Sequence, residues 1–342
     1  MTRTGKRNLI TDVEGLSVGQ AEDHAARSGV TVVLAERAFA AAVDVRGGAP
    51  GTIGTDALDP VNLVGAIDAL VLSGGSSYGL EAASAVMAWL GAHGRGFRFA
   101  PETPPAPIVP GAIIFDLANG GDKNWGVTPP YGALARKAVE NAGENFALGN
   151  AGAGLGAMAG TYKGGTGSAS IVTDDGFTVG ALVIVNSVGS PLIPYTDVFW
   201  AFPFEQKKEF GGRRLAPDFE VVDASLPSDI KGPARAGANT TIALVATDAE
   251  LSGVELKRLA IMAADGFARA LRPIHTPFDG DTVFALATAK RPLAEPRPFQ
   301  LMQLGNAAAD CLARAIARGV YEATSLGELR SYRDYSQERN AR

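Results

Sequence analysis

The chain has 342 residues, of which 46% are hydrophobic and 20% charged, which is typical of a globular protein with one large domain or two modest ones. The formal net charge of −5 is spread along the sequence, so no basic stripe indicates a nucleic-acid partner. The single cysteine excludes an internal disulfide framework and a cysteine-rich zinc site, and without an apolar run of membrane length we expect a soluble, cytoplasmic protein.

Hydrophobic patterning predicts strands and helices in succession along the chain. Val30–Glu36 and Ala38–Val45 favour two strands of a hairpin or a sheet edge. Ser252-x-x-Glu255 is a capping box, which predicts the start of a helix that continues to about Leu271. The alternation does not follow strict βαβ units, so we expect a layered α/β or α+β architecture. The other predicted elements are helices over Leu80–His93, Tyr131–Asn141 and Ala307–Ala323, and strands over Ala112–Leu117, Thr178–Asn186, Thr241–Thr247 and Thr282–Thr288.

A glycine-rich segment, Gly149–Gly156, loosely fits the pattern of a dinucleotide-binding loop. Such a loop needs a following helix that holds the pyrophosphate at its N-terminus. The glycines that continue to Gly167 interrupt any such helix. A tight turn that brings the backbone close to another element is therefore favoured over cofactor binding.

The segment Pro273–Asp281 carries His275 and two carboxylates within a Pro- and Gly-rich turn. It is compatible with a plain turn before a strand, or with a loop that presents Asp279 and Asp281 at the mouth of a site. These residues alone do not choose between the two. None of the three histidines has a partner at metal-ligand spacing, and the sequence lacks the nucleophile elbow of a Ser-His-Asp hydrolase.

Asn239-Thr240-Thr241 lies where a largely polar segment, 198–235, leads into a predicted strand. We expect that segment to be an exposed loop. Two threonines at a strand start are compatible with ordinary β preference. They are also compatible with a threonine nucleophile whose own α-amine serves as its base, which requires a chain cut immediately before the threonine.

Several ordered segments carry a resemblance to a known family. They are Ile10–Val13, Val45–Gly51, Leu72–Ala82, Ile108–Asp116, Asn150–Gly154, Lys163–Ser170, Val185–Asn186, Asn239–Ile242 and His275–Ala285. On these segments, nearly the whole chain resembles the β-aminopeptidases and L-aminopeptidase/D-esterases, which include the nylon-oligomer (6-aminohexanoate) hydrolases. The resemblance implies one hydrolase domain over 1–342 with a four-layer α/β/β/α sandwich, shared with ornithine acetyltransferase.

The same resemblance implies self-cleavage between Asn239 and Thr240, into an α chain of residues 1–239 and a β chain of residues 240–342. Thr240 matches the nucleophile, and Asn186 matches the residue that stabilises the oxyanion. Three further matches are Lys163, which lies near the nucleophile in the family, and Asp279 and Asp281, which match an acidic pair that orients it.

One position departs from the family pattern. Where members often carry a tyrosine that contributes to the site, the match places Pro129. We expect Tyr131 or Trp125 to contact the substrate instead.

The resulting hypothesis is an amide hydrolase for small peptides, amides or esters, without cofactor or metal, assembled as a homotetramer. Two alternatives stay open. One is an acyltransferase of the ornithine acetyltransferase type, and the other is a non-catalytic nucleotide-binding α/β protein that uses the glycine loop.

Overall fold

A computed structural model of the chain describes residues 2–220, 226–232 and 239–340. Within these residues the strands are β1 Leu16–Asp23, β2 Ser28–Val45, β3 Thr52–Ile53, β4 Ala66–Ser73, β5 Gly111–Ile113, β6 Met158–Ala159, β7 Tyr162–Lys163, β8 Gly165–Val172, β9 Thr178–Asn186, β10 Thr240–Ala249 and β11 Thr282–Arg291. The α-helices are α1 Glu81–Ala92, α2 Tyr131–Glu140, α3 Gly253–Ala263, α4 Asp265–Ala270, α5 Arg297–Tyr321 and α6 Tyr332–Asn340.

The large sheet runs in the order β3-β5-β4-β2-β11-β10-β9-β8, with β1 also paired to β2. The prediction of two strands within 30–45 is wrong, because β2 is one strand of 18 residues. Its first half pairs with β1 and its second half with β11, while β4 pairs with residues of both halves. A register shift between Leu34 and Phe39 separates the two halves, which is where a bulge lets a long strand bend.

The chain packs around three hydrophobic cores: one lies between the two halves of the sheet, and one lies between each half and its helices. This gives the predicted four layers. Because side chains alternate along a strand, β2 contributes Val32 to a core under α1 and α2, and Val33 to a middle core between the two halves of the sheet. Further along, Ala42 joins the core under α3, α4 and α5. The layers are thus helices, half-sheet, half-sheet and helices, and the two half-sheets are joined through β2 into one hydrogen-bonded sheet.

The helices follow the sequence signals closely. Ser252 accepts a hydrogen bond from the Glu255 N–H, and the Glu255 carboxylate accepts one from the Ser252 N–H, so the predicted capping box is confirmed. The single helix expected to Leu271 is divided in two at Ala264. Cys311 lies on the buried face of α5 with its thiol against the Ala169 carbonyl, as expected for a packed apolar residue.

The glycine-rich segment forms one 3-10 turn, Gly152–Gly154, and the short strand β6 follows it instead of a helix. A Cβ at Gly154 would lie 2.2 Å from the Thr166 nitrogen, so this backbone approaches β8 too closely for a side chain. The tight-turn interpretation is therefore confirmed.

The prediction of an exposed loop over 198–235 is wrong for much of the described part of that segment, residues 198–220 and 226–232. Phe199, Phe210 and Lys231 are buried there. Residues 221–225 and 233–235 of that segment, together with Gly237 and Ala238, lie outside the described residues. None of the helices in the described ranges is long and apolar enough to cross a membrane.

Candidate functional site

Thr240 is the first residue of β10 and is almost fully buried, at 4% exposure. It lies opposite Asn186, the last residue of β9, while Asn239 pairs with Asp279 on the other side. The Thr240 hydroxyl donates to the carbonyl oxygen of Asn239, and the Gly280 N–H donates to the same oxygen at 3.0 Å. The peptide bond between Asn239 and Thr240 therefore lies between two neighbouring chain segments, with two donors on its carbonyl.

Gly280 lies so close to Thr240, the candidate nucleophile, that a side chain at position 280 has no room. A Cβ at this position would lie 2.6 Å from the Thr240 hydroxyl oxygen and 2.8 Å from the Ala49 carbonyl oxygen. Those distances are shorter than any ordinary contact, so only glycine fits without displacement. Sequence reasoning did not single out Gly280. The signal available was a glycine between two candidate carboxylates.

Asp281 joins the start of β10 to the loop before β11. One carboxylate oxygen accepts the Thr241 N–H at 2.8 Å. The other accepts the His275 N–H at 3.0 Å and lies 2.9 Å from His275 Nδ1. His275 adopts a positive φ of 56°, an uncommon conformation for a residue with a side chain, so this loop is held in a specific shape.

Asp279 anchors the same loop on its other side. It accepts the Val188 N–H at 3.2 Å, and its second oxygen accepts the Thr276 N–H at 2.9 Å and the Thr276 hydroxyl at 2.6 Å. Burial raises the pKa of Asp279, and the negative charge of Asp281 raises it further. Both carboxylates are fully buried, and the loop that carries them contacts Asn239 through the Gly280 N–H and Thr241 through the Asp281 carboxylate. Within the described residues, no three His, Cys, Asp or Glu side chains come together as a metal site.

The side-chain amide of Asn186 lies among donors and acceptors of three segments. Its Oδ1 accepts the Met158 N–H at 3.0 Å, and its Nδ2 donates to the Phe115 carbonyl at 3.3 Å. Lys231 donates to Oδ1 at 3.1 Å and to the main-chain carbonyl of Asn186 at 3.0 Å. Sequence reasoning missed Lys231, since nothing about a lone lysine in a polar segment marks it as buried.

Lys163 is the last residue of β7, where it pairs with Met158 of β6, and it is fully buried. Its ammonium donates to the carbonyl oxygens of Gly154 and Gly164 at 2.8 and 2.7 Å. Burial lowers the pKa of Lys163 to about 7, although the negative charge of Asp116 acts in the opposite direction. Because the Met158 N–H holds Asn186, the hairpin links this lysine to the amide opposite Thr240.

Tyr131 and Trp125, the expected substrate contacts, lie beside a buried aspartate. The Tyr131 hydroxyl donates to Ser28 at 3.2 Å, and Ser28 donates to Asp116 at 2.6 Å. Burial raises the pKa of both Tyr131 and Asp116. Trp125 packs edge-on against Tyr131, with ring centroids 5.9 Å apart. Tyr131 itself is fully buried, and a substrate contact for either ring stays a prediction.

Known proteins are similar to this chain over most of its length. The model of peptidase family S58 matches residues 8–332. An uncharacterized aminopeptidase of Mycobacterium tuberculosis is 45% identical over 344 residues, which cover 96% of this chain and 97% of that protein. The 6-aminohexanoate-oligomer endohydrolase of a Kocuria strain is 33% identical over 299 residues, or 83% of this chain and 76% of that protein.

The fold is also found in a solved structure of low sequence identity. The L-aminopeptidase D-Ala-esterase/amidase from Ochrobactrum anthropi, a variant of the Ntn-hydrolase fold, superposes with a TM-score of 0.70. The superposition covers 99% of this chain and 96% of the other at 23% identity. The superposition shows that the fold is shared, and the family match over 8–332 together with the 45% identical relative shows that the chain belongs to peptidase family S58.

Proposed function

We propose that the chain is a self-processing amide hydrolase that cuts itself between Asn239 and Thr240 and then uses Thr240 as an N-terminal nucleophile. The observation that carries this proposal is the pair of donors on the Asn239 carbonyl, one from the Thr240 hydroxyl and one from the Gly280 N–H. A nucleophile next to a polarised carbonyl, at the start of a buried strand, is the arrangement that self-cleavage requires.

In the precursor, Thr240 Oγ1 attacks the carbonyl carbon of Asn239. The C–N bond then breaks as the nitrogen takes up the proton, which leaves an ester on Oγ1 and a free α-amine on Thr240. The Gly280 N–H stabilises the oxyanion that forms on the way, a type of contact that contributes about 3–4 kcal/mol when preorganised. Water hydrolyses the ester and frees the new carboxylate of Asn239.

In the cleaved enzyme, the Thr240 α-amine takes the hydroxyl proton while Oγ1 attacks the substrate amide. Asn186 donates to the developing oxyanion. Lys163 in its protonated form contributes positive charge that keeps the amine neutral. Asp281 holds the N–H of Thr241, next to the nucleophile, and Asp279 holds the N–H groups of Val188 and Thr276. The departing amine takes up the proton, and water releases the acyl group from Thr240.

The names of two relatives support a proposal for the substrate class. The names of two relatives, an aminopeptidase and a 6-aminohexanoate-oligomer endohydrolase, share one chemistry, hydrolysis of an amide bond. We propose small peptides, amides or oligoamides as substrates, hydrolysed without a cofactor in the cytoplasm by a homotetramer. Tyr131 and Trp125 are the proposed substrate-side residues.

The test compares the intact mass of the purified chain with that of Thr240→Ala. We expect the wild type to separate into two chains, the smaller beginning Thr-Thr-Ile, while the variant stays whole. The cleaved protein should hydrolyse at least one of the p-nitroanilides of L-alanine, D-alanine and β-alanine, or a 6-aminohexanoate oligomer. A wild-type chain that stays at 35.3 kDa under all conditions would remove the free amine and with it the proposal.

A further inference from the structure

We propose that Lys231 is a positioning residue for the reaction: it holds the side-chain amide of Asn186 with Oδ1 turned to the lysine and Nδ2 kept as the hydrogen-bond donor. This inference rests on the proposed function, in which Asn186 stabilises the oxyanion. It assigns a role to a residue of the α chain that lies eight positions before the cleaved bond.

The contacts around Asn186 define one orientation of its amide. A backbone N–H and a lysine ammonium can only donate, so the atom that faces Met158 and Lys231 must be the amide oxygen. On the other side, the Phe115 carbonyl can only accept, so the atom that faces it must be the nitrogen. In the flipped amide, the NH₂ group would meet two donors and the oxygen would meet a carbonyl. Asn186 would then offer an acceptor where an oxyanion needs a donor.

Lys231 adds a second, charged donor to Asn186 Oδ1 and so reinforces the amide orientation that the Met158 N–H favours. Its ammonium lies 3.1 Å from Oδ1 and 3.0 Å from the main-chain oxygen of Asn186, so one cation bridges the backbone and the side chain of the same residue. An ammonium on the amide oxygen also draws electron density from the amide, which strengthens its N–H groups as donors. Lys231 is 7% exposed, so water screens this effect little.

The anchoring of Lys231 does not depend on the bond that is cut. The Lys231 N–H donates to the Val188 carbonyl at 3.0 Å. Two residues earlier, the Asp229 carbonyl accepts the Thr161 N–H at 2.9 Å, and its carboxylate accepts the Ser190 hydroxyl at 2.5 Å. These contacts join 229–231 to the β6–β7 hairpin and to the segment after β9. We therefore expect Lys231 to stay on Asn186 after cleavage.

The test uses Lys231→Met, which keeps the alkyl chain and removes the ammonium, and Lys231→Arg, which keeps a donating cation. The control is Lys257→Met, since Lys257 also donates to a backbone carbonyl, that of Val43 in β2. We expect Lys231→Met to lower kcat about 10- to 100-fold, towards the loss for a deleted oxyanion donor of about 10²–10³, with KM changed less than about threefold. Lys231→Arg should recover most of kcat, and Lys257→Met should match the wild type.

A second readout separates positioning from simple destabilisation. If Lys231 acts through Asn186, then Lys231→Met should lower kcat no further once Asn186→Ala is already present. An equal loss in both backgrounds would overturn the inference, and so would an unchanged kcat in the folded single variant. If Lys231→Met fails to fold, Lys231→Gln takes its place: a loss in Gln with recovery in Arg supports the inference, and equal rates for both overturn it. A wild type that neither splits nor turns over any of the probes defeats the proposed function itself, a result distinct from an unchanged Lys231 variant.

Discussion

Burial of Lys163 makes the stability of this protein depend on pH in a way that one substitution can measure. The lysine is fully buried and burial lowers its pKa to about 7, whereas an unfolded chain holds it near its ordinary value of 10.5. Between those two values the unfolded chain binds more protons than the folded chain, so stability rises with pH. Below pH 7 the cost of burying the Lys163 ammonium lowers the free energy of unfolding by its full amount. This cost disappears as the pH approaches 10.5.

We expect Lys163→Met to remove this dependence. Integrating the proton linkage from pH 7 to pH 9 with the two pKa values gives a change of about 2 kcal/mol in the difference between wild type and variant. Loss of the bonds to the Gly154 and Gly164 carbonyls adds an offset that is the same at both pH values and cancels. The wild-type residue should therefore gain about 2 kcal/mol on the variant between pH 7 and pH 9.

The assay is urea unfolding at pH 7 and pH 9, with both chains in a Thr240→Ala background so that each stays a single uncut polypeptide. Lys137→Met, on the exposed side of α2, is the control for loss of a lysine charge. A stability difference between the chain with Lys163 and the Lys163→Met chain that is independent of pH, or that moves towards the variant as pH rises, would refute a buried lysine with a lowered pKa.

Three other predictions concern single positions. Gly280→Ala should slow self-cleavage at least tenfold while the chain stays folded, because the new Cβ would lie 2.6 Å from the Thr240 hydroxyl oxygen; precursor half-life by mass spectrometry measures this, and wild-type cleavage would contradict it. Arg314→Met should destabilise the chain by about 3 kcal/mol in urea unfolding, because it removes the two hydrogen bonds of Arg314 to the Glu209 carboxylate and leaves it only the longer ion pair with Arg318 at 3.6 Å, and a change below about 1 kcal/mol would contradict this. The Cys311 thiol, whose pKa burial raises to about 12, should react with a thiol reagent only after unfolding, while Cys311→Ser keeps activity; labelling of the native protein would refute its burial.

Local signals in the sequence located several elements closely. The strand expected over Thr178–Asn186 has those bounds in the structure, since β-branched and apolar residues run unbroken to a polar end. The helix expected from Tyr131 ends one residue early, and the capping box at Ser252 is formed as expected. The capping box joins residues three positions apart, which is the range that a sequence pattern reports, whereas the strand is marked by the residue types within its own segment.

The resemblance of ordered motifs indicated the family and the four-layer fold, and both are confirmed. It also named the residues that the structure brings to one end of the sheet, namely Thr240 opposite Asn186 and Asp281 on the Thr241 N–H. Reasoning from the residues alone had left the Asp279–Asp281 turn undecided. The sequence of the turn does not show that both carboxylates are buried. The loop at residues 46–49, whose N–H groups donate to carbonyl oxygens of the turn, helps to bury them.

The sequence by itself therefore determined the family, most of the α-helices, the strands β9, β10 and β11, and the residues proposed for the chemistry. Tertiary structure alone decided that β2 is one bent strand shared by two half-sheets, and that Lys231 reaches Asn186 across 45 positions of chain. The physical reason is the same for both. Strand register and layer packing determine which distant residues meet. Both arise from contacts between segments, and the sequence of one segment does not specify which other segment it will contact.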